Sequence, residues 1–454
     1  MYEPKDSYVR YRRIEDHLNE HQKKVKQMFR KSLKSNLYVS INMIRDDIRT
    51  LYDNKETLES VVLAKLNIVT DDMIEYDNKL LDSEGEDTPD YKPYFYSFNI
   101  YKNSSLTPEN LEFLLEMNEN NKWYNAYFIY ENEEILDGTN VFRGMSEQCA
   151  SPMVFKGATL AVSDEADDSE IINLLDKIEQ RLVCSSIHDV KIFLSKMFGL
   201  VNFNKADIYR VGNANLINLV GTKGNGSFNM MYDIGFARNR GTKIYDSARR
   251  GIEKIEPNAV VLSHWDDDHI IGCVYANDKA FECPWIVPKI EKKNAIGAYR
   301  LAYYLKLHGT IIIIDRQPYE QNIGKFGQIS FYMGQNRQID RITKENCGGI
   351  VLDIKNKKRS IFCGDVPYKA LLSTVWGNFS NVYDNVVVPH HGAKMNLDIK
   401  TSVYPKSGKA VICACDDEDT NRPNSDHKAH LKDTLHYDVL ITEHAMGNRI
   451  SIDL

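Results

Sequence analysis

The chain has 454 residues, of which 43% are hydrophobic and 10% aromatic, as is typical of a folded globular protein of two or three domains. Its net charge of −7 excludes a molecule that is basic all over, so a polyanionic substrate would have to meet a local basic patch or metal ions. The longest apolar runs are far too short to span a bilayer, and the amino terminus lacks the apolar core of a signal peptide. We therefore expect a soluble, cytoplasmic protein.

The first half of the chain carries no catalytic motif. Residues 1–76 are charged and show helix-like periodicity, which predicts a helical N-terminal segment. An acidic stretch broken by Gly and Pro follows and is typical of a linker. Strand-like aromatic runs and helix-like runs then predict a small α+β accessory region over residues 94–204. Because this half is large and lacks chemistry, we expect it to bind a protein partner or to sense a signal.

The second half, residues 205–454, changes to short strands separated by turns and helices. The first elements expected there are strands at 207–211, 215–220 and 228–233, a helix at 243–254 and a strand at 259–262. Strands and helices then alternate to a last strand at 449–454. This alternation predicts a domain of layered sheets and helices, of the α+β or α/β class.

The most informative stretch follows the strand expected at 259–262. Within six positions it carries His264, Asp266, Asp268 and His269. Burying two imidazoles and two carboxylates this close together is costly without a cation, because desolvation and mutual repulsion favour protonation. Period-two spacing puts the first three side chains on one side and the last one behind them, which suits two adjacent metals better than one. The alternative is a solvated acidic turn that happens to carry two histidines.

Three further polar motifs stand at predicted strand ends. They are Asp233-Ile234-Gly235, the Gly364-Asp365 that closes an apolar run, and the Pro389-His390-His391-Gly392 that closes another. Each is weak alone, because an aspartate at the end of a strand is usually an ordinary turn residue. Together with the first cluster they predict one metal site at the edge of the sheets.

In this combination the chain resembles a known family. Ser-His-x-Asp-x-Asp-His at 263–269, Gly-Asp at 364–365 and Pro-His-His-Gly at 389–392, preceded by Asp-x-Gly at 233–235, resemble the motifs of the metallo-β-lactamase superfamily. The aspartate at 266 and the Pro-His-His-Gly resemble more specifically the hydrolase domain of ComEC-type competence proteins. The resemblance covers roughly residues 205–454. It implies a four-layer αβ/βα sandwich with metals held at one edge by the loops after the strands.

The resemblance also implies a role for each matching residue. His264 and Asp266 would serve one metal, and Asp268 and His269 the other. Asp365 would bridge the two. The resemblance thus implies a hydrolase that uses two divalent ions.

Other positions of the resemblance leave alternatives open. His390 or His391 would add a ligand, and the other one would contact substrate. Asp233 would support the site from behind the ligands. Many superfamily members carry a further ligand histidine where this chain reads Glu-Asn-Cys-Gly at 345–348, so occupancy by a single metal stays open. Competence proteins are membrane channels and this sequence has no comparable segment, so DNA uptake is not implied.

The ligand set is rich in oxygen, which makes Mn²⁺ competitive with Zn²⁺. Two metals roughly 3.5–4 Å apart would generate a bridging hydroxide and clamp a phosphate oxygen, so hydrolysis of a phosphodiester is the reaction that fits best. Asp268 can handle the proton. His427 or His444 could protonate the leaving group or hold the phosphate; the alternative for both is a surface histidine.

The charge of the substrate is suggested by basic residues near Asp-Ile-Gly. Arg238 and Arg240 follow that motif closely and are expected near the mouth of the site, where they suit a nucleic-acid backbone. The basic residues at 249–254 have an equally good explanation as a solvated helix face. We therefore predict a metal-dependent phosphodiesterase or nuclease that cuts DNA. The alternatives are a hydrolase of a small phosphodiester or ester on the same fold, and an inactive binding module.

Overall fold

The computed structural model describes the greater part of the chain. The described residues are 37–44, 48–53, 62–82, 96–101, 106–120, 122–129, 140–148, 154–236, 250–291, 295–318, 321–339, 342–371, 383–395, 397, 408–415 and 422–454. They form two compact units, one from the residues up to Arg181 together with those of Lys293–Tyr304, and the other from the residues of Leu182–Lys292 and Leu305–Leu454. Within these ranges, none of the helices combines the length and the apolarity that crossing a bilayer requires.

The N-terminal unit is built on a closed barrel of six antiparallel strands, in the order β1-β2-β3-β5-β6-β4. Its strands are β1 Leu37–Ile44, β2 Val62–Thr70, β3 Tyr96–Tyr101, β4 Tyr124–Ile129, β5 Asn140–Gln148 and β6 Val154–Glu165. Its helices are α1 Ile48–Asp53, α2 Asp71–Asp82, α3 Pro108–Asn120 and α4 Ser169–Arg181. Closure of the barrel leaves no unpaired edge strand, which removes the most common site of unwanted strand pairing.

The prediction of a helical segment over residues 1–76 is wrong for much of the part that the structure describes. Residues 1–36 lie outside the described ranges, and β1 and β2 are strands. Leu37, Val39 and Ile41 are buried at alternate positions, the period of a strand, and the β-branched residues among them pack well on a pleated surface. The charged positions around these short apolar runs hid the alternation. The three-part division into 1–76, 94–204 and 205–454 stays a prediction.

The second unit contains two seven-stranded mixed sheets. Sheet 1 has the order β12-β11-β10-β9-β8-β7-β20, and sheet 2 the order β13-β14-β15-β16-β17-β18-β19. The strands of sheet 1 are β7 Val201–Tyr209, β8 Leu216–Lys223, β9 Gly226–Ile234, β10 Ala259–Val261, β11 Trp285–Pro288, β12 Ile311–Ile314 and β20 Arg449–Asp453. Those of sheet 2 are β13 Gln321–Phe326, β14 Ile329–Met333, β15 Ile350–Lys355, β16 Arg359–Phe362, β17 Asn385–Val387, β18 Lys409–Ile412 and β19 Asp438–Ile441.

Helices and single turns lie along the chain before and between these strands. The α-helices are α5 Ile187–Phe198, α6 Asp267–Ile270, α7 Lys279–Glu282, α8 Ile296–His308, α9 Lys344–Cys347 and α10 Ser425–Ala429. Of α8, residues 296–304 belong to the N-terminal unit and residues 305–308 to the second unit. The 3₁₀ turns are Ile271–Tyr275, Tyr368–Leu371, Pro389–Gly392 and Thr442–His444, and a π-helical turn spans His430–Thr434.

The core explains how the layers stack. Ile208 and Ile286 of sheet 1 belong to the same buried cluster as Phe331 and Val387 of sheet 2, so the two sheets pack face to face. The opposite face of sheet 2 forms a second buried cluster with residues of the turn that follows α10. On the outer face of sheet 1, the indole of Trp285 donates to a backbone carbonyl of α7 at 2.6 Å. The layers therefore run helix, sheet, sheet, helix. The predicted α+β fold with a four-layer αβ/βα sandwich is confirmed.

The order of the strands places the site. In sheet 1, β9, β10, β11 and β12 are mutually parallel, and in sheet 2 so are β16, β17, β18 and β19. The carboxyl ends of parallel strands share an edge of their sheet, which is where open α/β sheets place their ligands. Each of the polar motifs singled out in the sequence follows one of these strands.

Candidate metal centre

Four parallel strands deliver the polar side chains to one place. Asp233 stands at the end of β9, His264 follows β10, Asp365 follows β16, and His391 follows β17. Buried residues, most of them apolar, precede each of these side chains and fix the backbone from which it starts. The carbonyl edge of the sheets therefore carries an imidazole or carboxylate at the end of each of these strands.

Unusual backbone conformations aim these residues inward. His390 and His391 are both in the left-handed region, at φ 51° and φ 54°, and Asp233 is at φ 58°. Such conformations cost of order 1 kcal/mol or more each in a residue other than glycine, and they persist only where surrounding structure holds them. The backbone N–H of His390 donates to the Gly364 carbonyl at 3.0 Å, which ties the histidine turn to the turn that carries Asp365.

Glycine is required where these turns meet. Gly364 lies at φ 55°, and a Cβ there would stand 2.5 Å from the Cβ of Ser263. Gly235 has the same kind of constraint, because a Cβ there would lie 1.8 Å from the carbonyl oxygen of Asp268. The glycines of the Gly-Asp and Asp-x-Gly motifs thus let the backbone segments that carry ligands approach each other.

The predicted ligands converge in two overlapping groups. Asp268, His269 and His391 form one group, and His264, His269 and Asp365 form the other. Nε2 of His391 lies 3.2 Å from Oδ2 of Asp268 and 3.7 Å from Oδ1 of Asp365. Atoms that share a metal at about 2.0–2.2 Å are roughly 3–4 Å apart, so these separations suit a common ion.

The carboxylate of Asp365 stands between the two groups. Its Oδ1 lies 3.2 Å from Nε2 of His269, and its Oδ2 lies 3.9 Å from Nε2 of His264. The same nitrogen of His264 is 3.4 Å from Oδ2 of Asp266. One oxygen of Asp365 therefore faces the first group and the other faces the His264 side, the arrangement expected of a bridging ligand.

The histidine rings are oriented by hydrogen bonds on their far nitrogens. Nδ1 of His391 donates to the carbonyl of Cys413 at 2.8 Å, and Nδ1 of His269 donates to Asp233 at 2.8 Å. Ser263 donates its hydroxyl proton to Asp233 at 2.8 Å, which leaves its oxygen to accept from Nδ1 of His264 at 3.0 Å. In all three rings the proton sits on Nδ1, so Nε2 presents a lone pair to the centre.

These lone pairs are what make the site fit a metal. Nε2 of His264, Nε2 of His269 and Oδ1 of Asp365 are all buried, and none of them has a hydrogen-bond partner among the described residues. A buried acceptor without a donor costs about 1–3 kcal/mol, and three acceptors facing one another also repel. A divalent cation satisfies all three at once, so we conclude that the residues present fit a metal.

Protonation equilibria in the centre are shifted by the same crowding. Burial alone would lower the pKa of His269, but the carboxylates of Asp365 and Asp233 raise it well above its usual value. Burial opposes ionisation of Asp268 and Asp365, yet the surrounding histidine rings hold the pKa of both well below the usual range. The carboxylates that raise the pKa of His269 would equally favour a divalent cation beside its ring.

His390 and His391 differ in what their rings contact. Nε2 of His390 accepts a hydrogen bond from Arg422 at 2.9 Å, and burial lowers the pKa of His390 to about 3. Its lone pair is thus in use, although the ring nitrogen lies 3.5 Å from Oδ2 of Asp365. Nε2 of His391 instead contacts two carboxylates, at 3.2 Å from Oδ2 of Asp268 and 3.7 Å from Oδ1 of Asp365. The structure therefore favours His391 as the ligand and places His390 beside the centre.

Three residues that the sequence did not assign complete the surroundings: Ser263, Asn346 and Arg422. Asn346 is buried and donates from Nδ2 to Oδ2 of Asp365 at 3.2 Å, while its Oδ1 accepts from the hydroxyl of Thr343 at 2.7 Å. The position where a further ligand histidine was missing in the sequence thus holds an amide that steadies the bridging carboxylate. That gap in the motif was itself a signal that could have drawn attention to Asn346.

His427 requires a correction. It is fully buried, its Nδ1 donates to the carbonyl of Ala393 at 3.0 Å, and its Nε2 lies 3.1 Å from the hydroxyl of Tyr368. Both ring nitrogens are therefore engaged within the protein, and burial lowers its pKa to about 4. A neutral ring without a free nitrogen cannot serve as the predicted general acid, so His427 is a packing residue.

The remaining predicted substrate contacts stay predictions. His444 is exposed on the turn after β19, next to Glu443, which pairs with Arg210 at 2.6 Å. Arg238 and Arg240 lie outside the described residues. Asp233 occupies the predicted place behind the ligands, and Asp268 retains 32% of its side-chain exposure, which opens the centre to solvent.

The likenesses of this chain to known proteins are to solved structures. No protein-family model matches the sequence, and no curated protein matches it. Among solved structures, the chain is similar to the metallo-β-lactamase fold protein YhfI from Bacillus subtilis, with 14% identity, a TM-score of 0.34, and coverage of 55% of this chain and 100% of that one. It is also similar to CmlA, a diiron β-hydroxylase from Streptomyces venezuelae, with 10% identity, a TM-score of 0.32, and coverage of 56% of this chain and 55% of that one. Structural neighbours thus include metallo-β-lactamase fold proteins, while the closer resemblance to ComEC-type domains stays a prediction.

Proposed function

We propose that this protein is a metal-dependent phosphodiesterase, and that its substrate is DNA. One observation carries the proposal: Nε2 of His264, Nε2 of His269 and Oδ1 of Asp365 converge, buried and without hydrogen-bond partners among the described residues. A protein that only packed these groups together would leave their lone pairs unsatisfied. A centre that binds divalent cations gives each of them a role.

The two sides of the centre divide the ligands. Asp268, His269 and His391 would hold one ion, His264 and Asp266 would hold a second, and Asp365 would contact both. Bound divalent ions supply positive charge for the oxygen of the scissile group and make water acidic enough to react near neutral pH. The carboxylate share of this set is high, which makes Mn²⁺ a competitor of Zn²⁺.

Asp268 is the residue of the chain best placed to move a proton. Its carboxylate is held in the ionised form by its histidine neighbours, and it is partly open to solvent. An ionised carboxylate at the mouth can accept the proton that an attacking water loses. Asp365, by contrast, is buried, and its oxygens face the ligand histidines and the amide of Asn346.

The choice of phosphodiester, and of DNA, is supported by charge. A phosphodiester brings anionic oxygens, which suit divalent ions and the guanidinium of Arg422 beside the centre. The basic residues at 238–243 of the sequence add a preference for a polyanionic backbone. We propose in addition that the N-terminal unit binds a partner or a signal, because we find no catalytic motif in its sequence.

The test compares wild-type protein with Asp365→Ala and with Asp438→Ala, a matched change at an exposed strand position. Each is incubated with single- and double-stranded DNA in the presence of Mn²⁺, Zn²⁺ or a chelator. We expect metal-dependent cleavage by the wild type and by Asp438→Ala, and none by Asp365→Ala.

Other results would point elsewhere. If the metal-loaded wild type leaves DNA intact but hydrolyses bis(p-nitrophenyl) phosphate, the substrate is a small phosphodiester. If it binds metal and turns over neither substrate, the proposal of a phosphodiesterase is wrong and a binding role takes its place.

A further inference from the structure

The segment that carries Arg422 is fixed against the histidine turn. The backbone N–H of Asn424 donates to the Gly392 carbonyl at 2.8 Å, and Pro423 packs against Gly392, where an added Cβ would stand 3.0 Å from the proline ring. Asn424 also caps α10, since its Oδ1 accepts from the N–H of His427 at 3.2 Å. The backbone at Arg422 is therefore held at the same edge as the metal ligands.

The side chain of Arg422 reaches the centre through His390. Nη2 of the guanidinium donates to Nε2 of His390 at 2.9 Å, and that nitrogen lies 3.5 Å from Oδ2 of Asp365. An arginine has no acceptor, so this contact requires an unprotonated Nε2 on His390. Nε2 of His390 therefore lies between the guanidinium and Oδ2 of Asp365, the oxygen on the His264 side.

The charge of Arg422 is not neutralised within the described part of the chain. There its hydrogen bond is to a neutral ring, and it forms no ion pair with a described carboxylate, whereas Arg210, Arg300, Arg359 and Arg449 each pair with one. A half-buried guanidinium is more stable with an anion, and it has further N–H groups arranged to bind two oxygens in one plane. Asp365 cannot be that anion, because its oxygens face the ligand histidines and Asn346.

We propose that Arg422 binds a non-bridging oxygen of the phosphate group at the centre and so determines the specificity for anionic substrates. The inference rests on the proposed function and deepens it. It also assigns a role to His390, whose ring accepts from the guanidinium and holds it in place, as a positioning residue rather than a metal ligand. Neutral esters would gain nothing from Arg422.

The experiment uses the metal-loaded full chain as wild type, Arg422→Gln, Arg422→Lys and Lys428→Gln. Lys428 lies on α10 and provides the matched loss of one positive charge nearby. Binding of inorganic phosphate is measured by calorimetry, metal content by elemental analysis, and kcat and KM with bis(p-nitrophenyl) phosphate and with p-nitrophenyl acetate.

We expect phosphate affinity to fall about tenfold to hundredfold in Arg422→Gln, as for the loss of a hydrogen bond to a charged group, with metal content unchanged. As phosphate affinity falls in this variant, KM for the phosphodiester should rise. The kcat and KM for the neutral ester should stay as in the wild type. Arg422→Lys keeps the positive charge but not the planar pair of N–H donors, so its phosphate affinity should fall between those of the wild type and Arg422→Gln. Lys428→Gln should match the wild type.

The inference is overturned if phosphate binds equally to wild type and Arg422→Gln, if the wild type binds no phosphate, or if metal content falls in both Arg422 variants. Failure of the proposed function looks different: phosphate would bind in a manner that depends on Arg422 while the wild type hydrolyses no phosphodiester.

Discussion

Asp233 and His269 form a fully buried pair in which Nδ1 of the histidine donates to Oδ2 of the aspartate at 2.8 Å. The other oxygen of Asp233 accepts the backbone N–H of Ser263 at 2.6 Å, and Oδ2 also accepts that residue's hydroxyl. One carboxylate at the end of β9 thus orients His269 directly and His264 through Ser263. The two ligand histidines are therefore aligned by the same residue.

Replacing this carboxylate by an amide should weaken metal binding. In Asp233→Asn the amide can accept from only one side, so the rings of His264 and His269 lose their fixed tautomer. Loss of such an orienting partner typically costs about tenfold to hundredfold in metal affinity. Competition with a fluorescent chelator measures it. Asp207→Asn is the control, because Asp207 is buried on β7 with Ser451 and Lys205 as partners, away from the ligands. Equal metal affinity in Asp233→Asn and wild type would contradict the prediction.

The two neighbouring histidines should separate in a metal-content measurement. His391→Ala removes a lone pair that faces Asp268 and Asp365, so the ion of that group should be lost on gel filtration. His390→Ala removes a ring whose nitrogen is already engaged by Arg422, so bound metal should remain. Elemental analysis of the two variants gives the answer. The reverse pattern would make His390 the ligand.

How far the sequence predicted this site depends on where each contact lies along the chain. Asp266 and Asp268 are near both histidines in sequence, so local spacing was enough to predict that these groups meet. Asp233 and Asp365 were predictable only because each follows an apolar strand, and parallel strands end at a common edge. The resemblance supplied their pairing.

Other features could not be predicted because the residues that decide them are far apart or have no distinctive local pattern. Arg422 meets His390 across a segment that carries no motif of its own, and Ser263 was treated only as part of a motif although it links Asp233 to His264. His427 has the residue type of a catalytic acid, and only its contacts with Tyr368 and Ala393 show that both nitrogens are taken. The barrel depends on the pairing of β1 with β4, which short apolar runs among charged residues do not reveal.

Asn346 offers a test of whether the centre binds an ion on its His264 side. Asn346→Asp puts an anionic oxygen where an amide now donates to Oδ2 of Asp365. Without metal the two carboxylates repel and the melting temperature should fall, whereas with metal the new carboxylate can serve as a ligand on the His264 side. If affinity rises tenfold, stabilisation by saturating metal grows by about 1.4 kcal/mol, or roughly 2–4 °C for a unit of this size.

The matched control for that variant is Asn385→Asp, a buried asparagine of β17 whose amide donates to Ser360. It should lower the melting temperature without enlarging the shift produced by metal. Thermal scans of the three proteins with and without Mn²⁺ decide the matter. A shift in Asn346→Asp no larger than in the wild type would show that the new carboxylate does not reach an ion.

His427 should make the protein sensitive to acid. Its pKa is lowered from 6.5 to about 4 by burial, so the unfolded chain binds a proton more readily than the folded one. The folded state therefore has its full stability above about pH 6.5 and loses stability as the pH falls towards 4. Between pH 7.5 and 5.0 the loss from this group is at most about 2 kcal/mol. Other buried histidines contribute in parallel, so the informative quantity is the difference between wild type and a variant.

In His427→Gln the amide can replace the contacts to Tyr368 and Ala393 but does not titrate. We expect the variant to be less stable than the wild type at pH 7.5. The difference between their free energies of unfolding should narrow by up to about 2 kcal/mol at pH 5.0. Urea unfolding at both pH values measures it, with His188→Gln, a change at an exposed histidine of α5, as the control. A gap that is the same at both pH values would show that His427 takes up no proton on unfolding, and so that it is not held neutral by its burial.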